Sequence, residues 1–450
     1  MYILKKNKKK SSKSLDNMAV NNICLKGNVG VPGDKSISQR ALILGLLSIG
    51  ETVIEGILDS EDVYYTLKAV EALGGKVNID KKNNSLTITG IGLGNLMSPK
   101  KPVYMGNSGT GTRLLMGVVA GSNATVTFCG DDSLSNRPMD RIIEPLEKMG
   151  ANFIFSDQKK LPITVLGARK KGFTMPIKYK LPMASAQVKS SIIFSALTAR
   201  GATIIKEPFK SRSYTEEMLK KCGVKIKTSL GNNYSNTIEV NGAEYLKNCK
   251  FTIPGDPSSA AFLIVACLIK EGSKITVNNV LNDPMRLKVF KVLKKMGAKI
   301  SFNRVSKNIC NISAEYSKLT NICLKSNEVV SLIDEFPILS IAAACGEGKM
   351  SMKGLGELRF KESDRFLAIK EGLIACGVNV NSFGDDMEII GKKQVNGEAE
   401  INSNNDHRIA MAFNILGLVA LKPIKIIGNK SIRTSFPNFF ETIKSLTQRK

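Results

Sequence analysis

The sequence has no tryptophan, a single histidine and fewer acidic than basic residues. The histidine is His407, and the nine cysteines form no Cys-x-x-Cys pair, which argues against a zinc site. Scattered cysteines of this kind are typical of buried, reduced thiols in a cytosolic protein. Against 39 acidic residues stand 65 lysines and arginines, and the net charge of +26 favours anionic partners. Nucleic acid, a membrane surface and a phosphorylated metabolite all fit that charge.

Long apolar runs are also missing. The segment AAFLIVACLI at 260–269 is among the longest, and it is about half of the ~20 residues needed to cross a bilayer. We therefore expect no membrane span. Residues 1–14 are basic with no apolar core behind them, which argues against a secretory signal and predicts a disordered, solvated tail. The 450 residues are enough for two or more domains.

The chain does contain a long repeat. Five phrases combine a helix end, a glycine and an alternating strand at intervals of 73 to 80 residues: ALGGKVNI (72), KMGANFIF (148), KCGVKIKT (221), KMGAKISF (295) and ACGVNVNS (375). Between them runs a second series of six apolar helices, each followed by a short turn and a strand. Glycine just past a helix end and a β-rich run behind it support this interpretation. Six copies of so long a unit predict two domains of three repeats rather than a solenoid.

Cations recur near the predicted helix starts, where the helix dipole and the free N–H groups favour anions. They are Lys35, Arg40, Arg137, Arg212, Lys361, Arg365 and Arg408. Ordinary capping explains acidic and hydroxyl residues at such positions, for example Asp256 and Asp283, but it does not explain the cations. In RFKESDRFL (359–367), Lys361 and Arg365 are four residues apart, so a helix would place two like charges on one face. We therefore predict a phosphate or carboxylate between them.

Seven separated motifs together resemble the family of 3-phosphoshikimate 1-carboxyvinyltransferase, or EPSP synthase. They occur in the family's order over about residues 20–445: PGDKSISQRALIL, GNSGTGTR, SNRPMDR, PMASAQVKS, IDEFP, RFKESDR and DHRIAMAF. The resemblance implies an α/β fold of two similar domains, each of three βαβαββ repeats (an inverse α/β barrel), with the active site in the interdomain cleft. It places one domain at 34–253 and the other at 15–33 plus 254–450.

The resemblance also implies a reaction, the transfer of the carboxyvinyl (enolpyruvyl) group of phosphoenolpyruvate to the 5-hydroxyl of shikimate 3-phosphate. Phosphate is released, and the step belongs to the shikimate pathway to chorismate and aromatic amino acids. The chemistry needs a proton donor for the methylene carbon, a base for the hydroxyl and dense positive charge. No metal or other cofactor is expected. The implied partners are the two small substrates, without nucleic acid or membrane, and the implied state is a cytoplasmic monomer.

Residue by residue, the resemblance assigns three catalytic roles. Glu362 would donate the proton to carbon, Asp334 would act as the base, and Lys35 would form a bridge to the leaving phosphate. The implied shikimate 3-phosphate residues are Lys35, Ser36, Arg40, Ser185, Ala186, Gln187, Arg212, Asp334 and Lys361. The implied phosphoenolpyruvate residues are Lys35, Asn107, Gly109, Arg137, Gln187, Lys361, Arg365 and Arg408. Among these, Asn107 and Gly109 would form a tight backbone wall.

Two positions depart from one branch of the family and resemble its second class. Ala186 stands where that branch has a second serine before glutamine, and Thr434 stands where it has a lysine. The phosphate that the second serine would bind is expected to rely more on Lys189 or Arg212. Gly109, as the resemblance implies, leaves room for the herbicide glyphosate, so we expect inhibition.

Two other functions compete with this one. The sister enzyme that transfers the same group to UDP-N-acetylglucosamine has an asparagine after its first lysine and a cysteine in the loop before the Arg-Pro helix. Here Ser36 follows Lys35, and Cys129 lies in a predicted strand. A nucleic-acid-binding protein would suit the charge, but an aromatic content of 6% and the absence of a recognisable binding module disfavour it.

Overall fold

The computed structural model describes residues 23–80, 82–83, 85–156, 158–231, 235–329 and 332–449. The predicted tail at 1–14 and the adjoining residues 15–22 lie outside the described residues. The chain divides into two compact units. Among the described residues, unit one is Lys35–Ile253, and unit two comprises those up to Asp34 together with those from Pro254 onward.

The chain begins in unit two with strand β1 (Ile23–Gly30) and then builds unit one. The described helices of unit one are α1 (Lys35–Leu47), α2 (Glu61–Ala72), α3 (Gly109–Ala120), α4 (Asp132–Ser135), α5 (Asp140–Lys148), α6 (Ala186–Ala196) and α7 (Tyr214–Lys221). Its strands are β2 (Ser48–Glu55), β3 (Lys76–Asp80), β4 (Ser85–Ile91), β5 (Val103–Tyr104), β6 (Thr125–Cys129), β7 (Asn152–Phe155), β8 (Ile163–Leu166), β9 (Lys178–Lys180), β10 (Ala202–Glu207), β11 (Ile226–Leu230), β12 (Asn236–Asn241), β13 (Leu246–Lys247) and β14 (Lys250–Thr252). A short 3-10 helix lies at Ala168–Lys170.

Unit two repeats this alternation of helices and strands. Its described helices are α8 (Pro257–Ile269), α9 (Lys288–Lys295), α10 (Ser326–Val329), α11 (Phe336–Ala344), α12 (Arg365–Ala375), α13 (His407–Gly417) and α14 (Phe439–Leu446). Its further strands are β15 (Lys274–Leu281), β16 (Lys299–Ser306), β17 (Ile309–Glu315), β18 (Cys323–Leu324), β19 (Lys349–Met352), β20 (Asn379–Phe383), β21 (Asp386–Ile390), β22 (Ala399–Asn402), β23 (Ile424–Ile427) and β24 (Thr447–Arg449). Two 3-10 helices lie at Gly356–Phe360 and Asn429–Thr434.

Small sheets follow one plan in most of the repeats. In the sheet β5-β6-β8-β7, β6 pairs parallel with β5 and antiparallel with β8, which pairs antiparallel with β7. The sheets formed by β9 to β12 and by β18 to β21 have the same plan. A helical segment follows the first strand and another follows the second, so the order along the chain is βαβαββ. Two of these segments consist of two helices each, α4 with α5 and α10 with α11. This order confirms the fold class predicted from the sequence.

The first repeat of each unit takes its parallel strand from a distant part of the chain. In unit one, β13 and β14 pair parallel with β2. In unit two, β1 pairs parallel with β15, with Lys26 opposite Lys274. The last repeat departs from the plan, because the described sheet of β22 and β23 has two strands and β24 pairs with β1 instead. Both units are therefore completed by strands that lie far from their partners in sequence.

Each unit has its own apolar core, to which the first helix of every repeat contributes. Helix α8, with the sequence PSSAAFLIVACLI, is buried over almost its whole length, whereas α9 buries one face. A helix that is apolar all round belongs inside a core, and burying one Leu or Ile side chain contributes about 1.5–3 kcal/mol. Packing thus fixes the polar residues that stand at the starts of these helices. In the part of the chain that the structure describes, no helix is long and apolar enough to span a membrane.

The glycines that marked the repeat have a conformational reason. All five adopt the left-handed backbone just past a helix, with φ between +79° and +112°: Gly74, Gly150, Gly223, Gly297 and Gly377. A residue with a side chain adopts this conformation at a cost, so glycine is the residue that ends a helix here. The spacing in the sequence is therefore the spacing of equivalent helix ends.

Candidate active site

Arg40 of α1 is held by hydroxyls from two other helices of unit one. Its Nε donates to Thr215 Oγ1 at 2.7 Å, and its Nη2 donates to Ser190 Oγ at 3.0 Å. Its Nη1 donates to the backbone oxygen of Ser36 at 3.0 Å. The side chain is 3% exposed, so these contacts fix the guanidinium in one orientation. The sequence singled out Arg40 and Ser36, but single hydroxyls such as Thr215 and Ser190 gave no signal there.

Arg137, between α4 and α5, forms a second fixed cation in unit one. Its Nη2 donates to the side-chain oxygen of Asn107, and the Nδ2 of Asn107 donates to Asp131 Oδ2 at 3.0 Å. Ser133 Oγ lies 3.4 Å from the same Nη2. The amide of Asn107 is therefore oriented by a carboxylate on one side and a guanidinium on the other. Asp131, which also caps α4, was not predicted as part of this group.

Gly109, the first residue of α3, lies against the guanidinium of Arg137. A Cβ atom at this position would be 2.7 Å from Arg137 Nη1 and 3.6 Å from Arg113 Nη1. The first distance is too short for a carbon atom, so any side chain would displace the guanidinium. The constraint at this position is the close approach of the guanidinium rather than the backbone angle of Gly109.

Gln187 connects α6 to α3. Its Nε2 donates to Thr110 Oγ1 at 2.8 Å, and its Oε1 accepts from Arg113 Nη1 at 2.7 Å. Ser185 is the N-cap of α6 and accepts from the backbone N–H of Val188, while Ala186 begins the helix. Arg113 was missed because it closes the motif GNSGTGTR one turn inside a helix, where an arginine is usually solvated.

Lys35 begins α1 and pairs with a carboxylate of α2. Its Nζ lies 2.8 Å from Asp62 Oδ2, and the two side chains are 16% and 7% exposed. Asp62 stands in the first turn of α2, where the helix dipole stabilises a negative charge. The ion pair joins the beginnings of α1 and α2.

The expectation that Lys189 binds a phosphate is wrong. Its Nζ lies 3.0 Å from Glu207 Oε2 and 2.8 Å from Glu216 Oε1, and the lysine side chain is 0% exposed. Two carboxylates already neutralise this ammonium, which leaves no access for a substrate. Arg212, the other residue considered, is half-buried in the connection between β10 and α7.

In unit two, Arg365 is surrounded by carboxylates. Its Nε donates to Asp406 Oδ2 at 2.7 Å, and its Nη2 donates to Glu362 Oε2 at 2.6 Å. The guanidinium is 1% exposed. Burial lowers the pKa of Arg365, but the carboxylates of Asp406, Glu362 and Asp334 outweigh burial, so the pKa is raised and the charge persists. Asp406 also caps α13, which links the starts of α12 and α13.

Lys361 and Arg365 are not on one helical face, contrary to expectation. Lys361 follows the 3-10 helix at Gly356–Phe360, and α12 begins at Arg365 after its cap, Asp364. A carboxylate of the chain itself lies near both cations. Asp334 Oδ1 lies 3.8 Å from Lys361 Nζ and 3.7 Å from Arg365 Nη1. The structure thus brings the predicted base and two predicted substrate cations together.

Arg408, near the start of α13, adds a further cation to this group. Its Nη1 donates to the backbone oxygen of Asp334 at 2.7 Å and lies 3.8 Å from Glu335 Oε1. Glu335 in turn accepts from Ser258 Oγ, which accepts from Arg286 Nη2 at 2.8 Å. Arg286 was not predicted, because a lone arginine in NDPMRLK resembles a solvated residue. Its Nη1 also binds Asp34 at 2.8 Å.

These contacts define what each group of side chains can do chemically. Unit one presents arginines in fixed orientations at helix starts, which suits phosphate and carboxylate oxygens. Unit two combines three cations with Glu362 and Asp334, two carboxylates that can donate and accept protons. Among the described residues, no group of three or more His, Cys, Asp or Glu side chains is placed to hold a metal ion.

Comparisons with known proteins identify the family of the chain. The family model of EPSP synthase (3-phosphoshikimate 1-carboxyvinyltransferase) matches residues 21–443. A 3-phosphoshikimate 1-carboxyvinyltransferase of Parvibaculum lavamentivorans is 43% identical over 427 residues, which are 94% of each chain. One from Zymomonas mobilis is 44% identical over 431 residues, again 94% of each chain. The solved EPSP synthase of Acinetobacter baumannii superposes with a TM-score of 0.81 at 38% identity, covering 95% of this chain and 98% of that one.

Proposed function

The chain belongs to the EPSP synthase family, and from that premise we propose how its residues carry out the reaction. The activity is transfer of the carboxyvinyl group of phosphoenolpyruvate to the 5-hydroxyl of shikimate 3-phosphate, in the pathway to aromatic amino acids. Both substrates are polyanions. The observation that carries the assignment of residues is the set of arginines and lysines held at helix starts by carboxylates and hydroxyls of the chain.

Shikimate 3-phosphate is assigned mainly to residues near the starts of α1, α6 and α7 in unit one, with two residues from unit two. Arg40 is the best-supported member, because Thr215 and Ser190 hold its guanidinium in place. Ser36 and Arg212 complete the phosphate side. The remaining members are Lys35, Ser185, Ala186, Gln187, Asp334 and Lys361.

Phosphoenolpyruvate is assigned to cations from both units. Arg137 lies against Gly109 and orients Asn107, which suits a compact anion next to the start of α3. The other members are Lys35, Gln187, Lys361, Arg365 and Arg408. Fixed guanidinium groups bind carboxylate and phosphate oxygens without the entropy cost of ordering free side chains.

The two carboxylates of unit two are proposed to move the protons. Glu362 donates a proton to the methylene carbon of phosphoenolpyruvate. Asp334 accepts the proton of the 5-hydroxyl as the hydroxyl oxygen bonds to the carbon next to that methylene carbon. The product of this addition is a tetrahedral adduct that still carries the phosphate. Its breakdown expels inorganic phosphate, with Lys35 beside the leaving group, and the Glu362 carboxylate takes back a proton from the methyl group to restore the double bond.

Phosphate release from phosphoenolpyruvate tests this proposal. The purified protein is assayed with shikimate 3-phosphate in one reaction and UDP-N-acetylglucosamine in another. Release with shikimate 3-phosphate alone supports the assigned acceptor, and release with neither acceptor would contradict the function.

The role of Glu362 is tested with Glu362→Gln. We expect kcat to fall by about 10²–10⁴-fold, the usual contribution of general acid–base catalysis. Glu371→Gln removes an exposed carboxylate of α12, the helix that begins shortly after Glu362, and serves as the matched control. Equal activity of the two variants would remove Glu362 from the mechanism.

We also propose that the enzyme works in the cytoplasm as a monomer. The nine free cysteines support a reducing compartment. Light scattering of the purified protein tests the oligomeric state, and a mass of about 98 kDa, twice that of the 48.9 kDa chain, would contradict a monomer.

A further inference from the structure

A buried ionic cluster lies beneath the segment that carries Arg212. The ammonium of Lys189 contacts both Glu207 and Glu216, whose side chains are 0% and 2% exposed. Glu207 is the last residue of β10, and Glu216 stands in the first turn of α7. One lysine of α6 therefore holds both ends of the connection from β10 to α7.

The connection is also held in its middle. Ser211 Oγ donates to Glu207 Oε1, the backbone oxygen of Ser211 lies 3.5 Å from Lys189 Nζ, and Asn236 Nδ2 donates to Glu207 Oε2 at 3.0 Å. Arg212 is the next residue. The backbone from which Arg212 extends is thus attached to the cluster on both sides.

The same cluster adjoins the support of Arg40. Ser190 follows Lys189 on α6, and Thr215 precedes Glu216 on α7. The hydroxyls of Ser190 and Thr215 are 2.7 Å apart, and both accept from Arg40. The ion pair between Lys189 and Glu216 thus stands one residue away from these hydroxyls on each helix.

We propose that Lys189, with Glu207 and Glu216, is a positioning residue for binding of the phosphate of shikimate 3-phosphate. It acts through Arg212, and it does not touch the substrate. A small displacement of a binding group is costly for a reaction that depends on orientation. The inference rests on the proposed function, in which Arg212 contacts that phosphate.

A double-mutant cycle tests the proposal on the full chain. The variants are Lys189→Met, Arg212→Ala and their combination, and the measured quantities are the Kd of shikimate 3-phosphate by calorimetry and the KM values of both substrates. Arg212→Ala is expected to weaken binding by about 10- to 100-fold, as for loss of a hydrogen bond to a charged group. Lys189→Met is expected to weaken it about tenfold, with KM for phosphoenolpyruvate changed less than twofold. In the combined variant the loss should not exceed that of Arg212→Ala alone.

Two further variants separate positioning from general stability. Lys189→Arg keeps the positive charge and should recover most of the affinity. Leu197→Ala opens a cavity at the other end of α6, in the core, and should lower the melting temperature without changing the Kd.

The possible outcomes are distinct. Equal loss of affinity in Lys189→Met and Leu197→Ala, or fully additive losses in the cycle, would overturn the positioning role while leaving Arg212 as a ligand. An unchanged Kd in Arg212→Ala would remove Arg212 from the proposed site, and with it the premise of the inference. Phosphate release by the unmodified enzyme reports separately on the function itself.

Discussion

Replacement of Gly109 by alanine should weaken phosphoenolpyruvate binding through Arg137. The added Cβ atom would stand 2.7 Å from Arg137 Nη1, whereas ordinary contacts begin at 3.4 Å. The guanidinium must therefore move by about 0.7 Å. Because it is the far end of a flexible side chain, we expect the backbone and the melting temperature to change little.

Moving the guanidinium of Arg137 should lower the affinity for phosphoenolpyruvate, because the same group orients Asn107 and Arg137 is 7% exposed. Loss of one good hydrogen bond to a charged group costs about 1.5–3 kcal/mol, and partial loss about 1.4 kcal/mol, or tenfold. We expect KM for phosphoenolpyruvate to rise about tenfold, with kcat and KM for shikimate 3-phosphate within twofold of their original values. Glyphosate should inhibit the original enzyme in competition with phosphoenolpyruvate and inhibit the variant less.

Steady-state phosphate release at varied phosphoenolpyruvate measures these constants. The control is Gly417→Ala on α13, where no atom lies within 4 Å of the added Cβ. An unchanged KM for phosphoenolpyruvate in Gly109→Ala would refute the reasoning, because it would mean that the position of Arg137 does not determine binding. Unchanged turnover under a large excess of glyphosate would refute the part that concerns the inhibitor.

Other predictions concern stability and thiol chemistry. Arg286→Met leaves buried carboxylates without their cation and should cost about 3–5 kcal/mol. Calorimetry should show a melting temperature several degrees lower. The control is Lys274→Met, which breaks an exposed ion pair and should leave the melting temperature unchanged. Equal effects of the two substitutions would contradict the structural role of Arg286. Burial raises the pKa of Cys345 to about 12, so its thiolate is scarce at pH 8 and becomes abundant only near that pKa or on unfolding. Iodoacetamide at pH 8 should therefore modify the exposed Cys323 first, and prior labelling of Cys345, detected by peptide mass spectrometry, would contradict the raised pKa.

The repeat could be predicted from the sequence because its signals are local. A helix that ends in the left-handed conformation needs glycine at its own end, and a fully buried helix is apolar along its own length. The exchange of strands could not be predicted in this way. Nothing in the residues of β1 or β14 indicates which strand each one pairs with, because that choice depends on packing across the whole unit.

The candidate site was predictable to the extent that its residues belong to motifs. Arg40, Arg365 and Arg408 were found because cations at helix starts conflict with the dipole. Arg286 and Lys189 show the limit of that signal. Buried cations with carboxylate partners distant in sequence look like surface cations, and only the fold reveals the partners.

The pairing of β1 with β15 has a consequence for how the protein is made. Strand β1 ends at Gly30, and its partner begins at Lys274, with the whole of unit one encoded between them. At a synthesis rate of about 5–20 residues per second, the strand leaves the ribosome roughly 12 to 50 s before its partner. Throughout that interval its edges have no native partner and can pair with other chains. Unit two can thus complete its first sheet only late in translation, and β1 keeps unpaired edges until then.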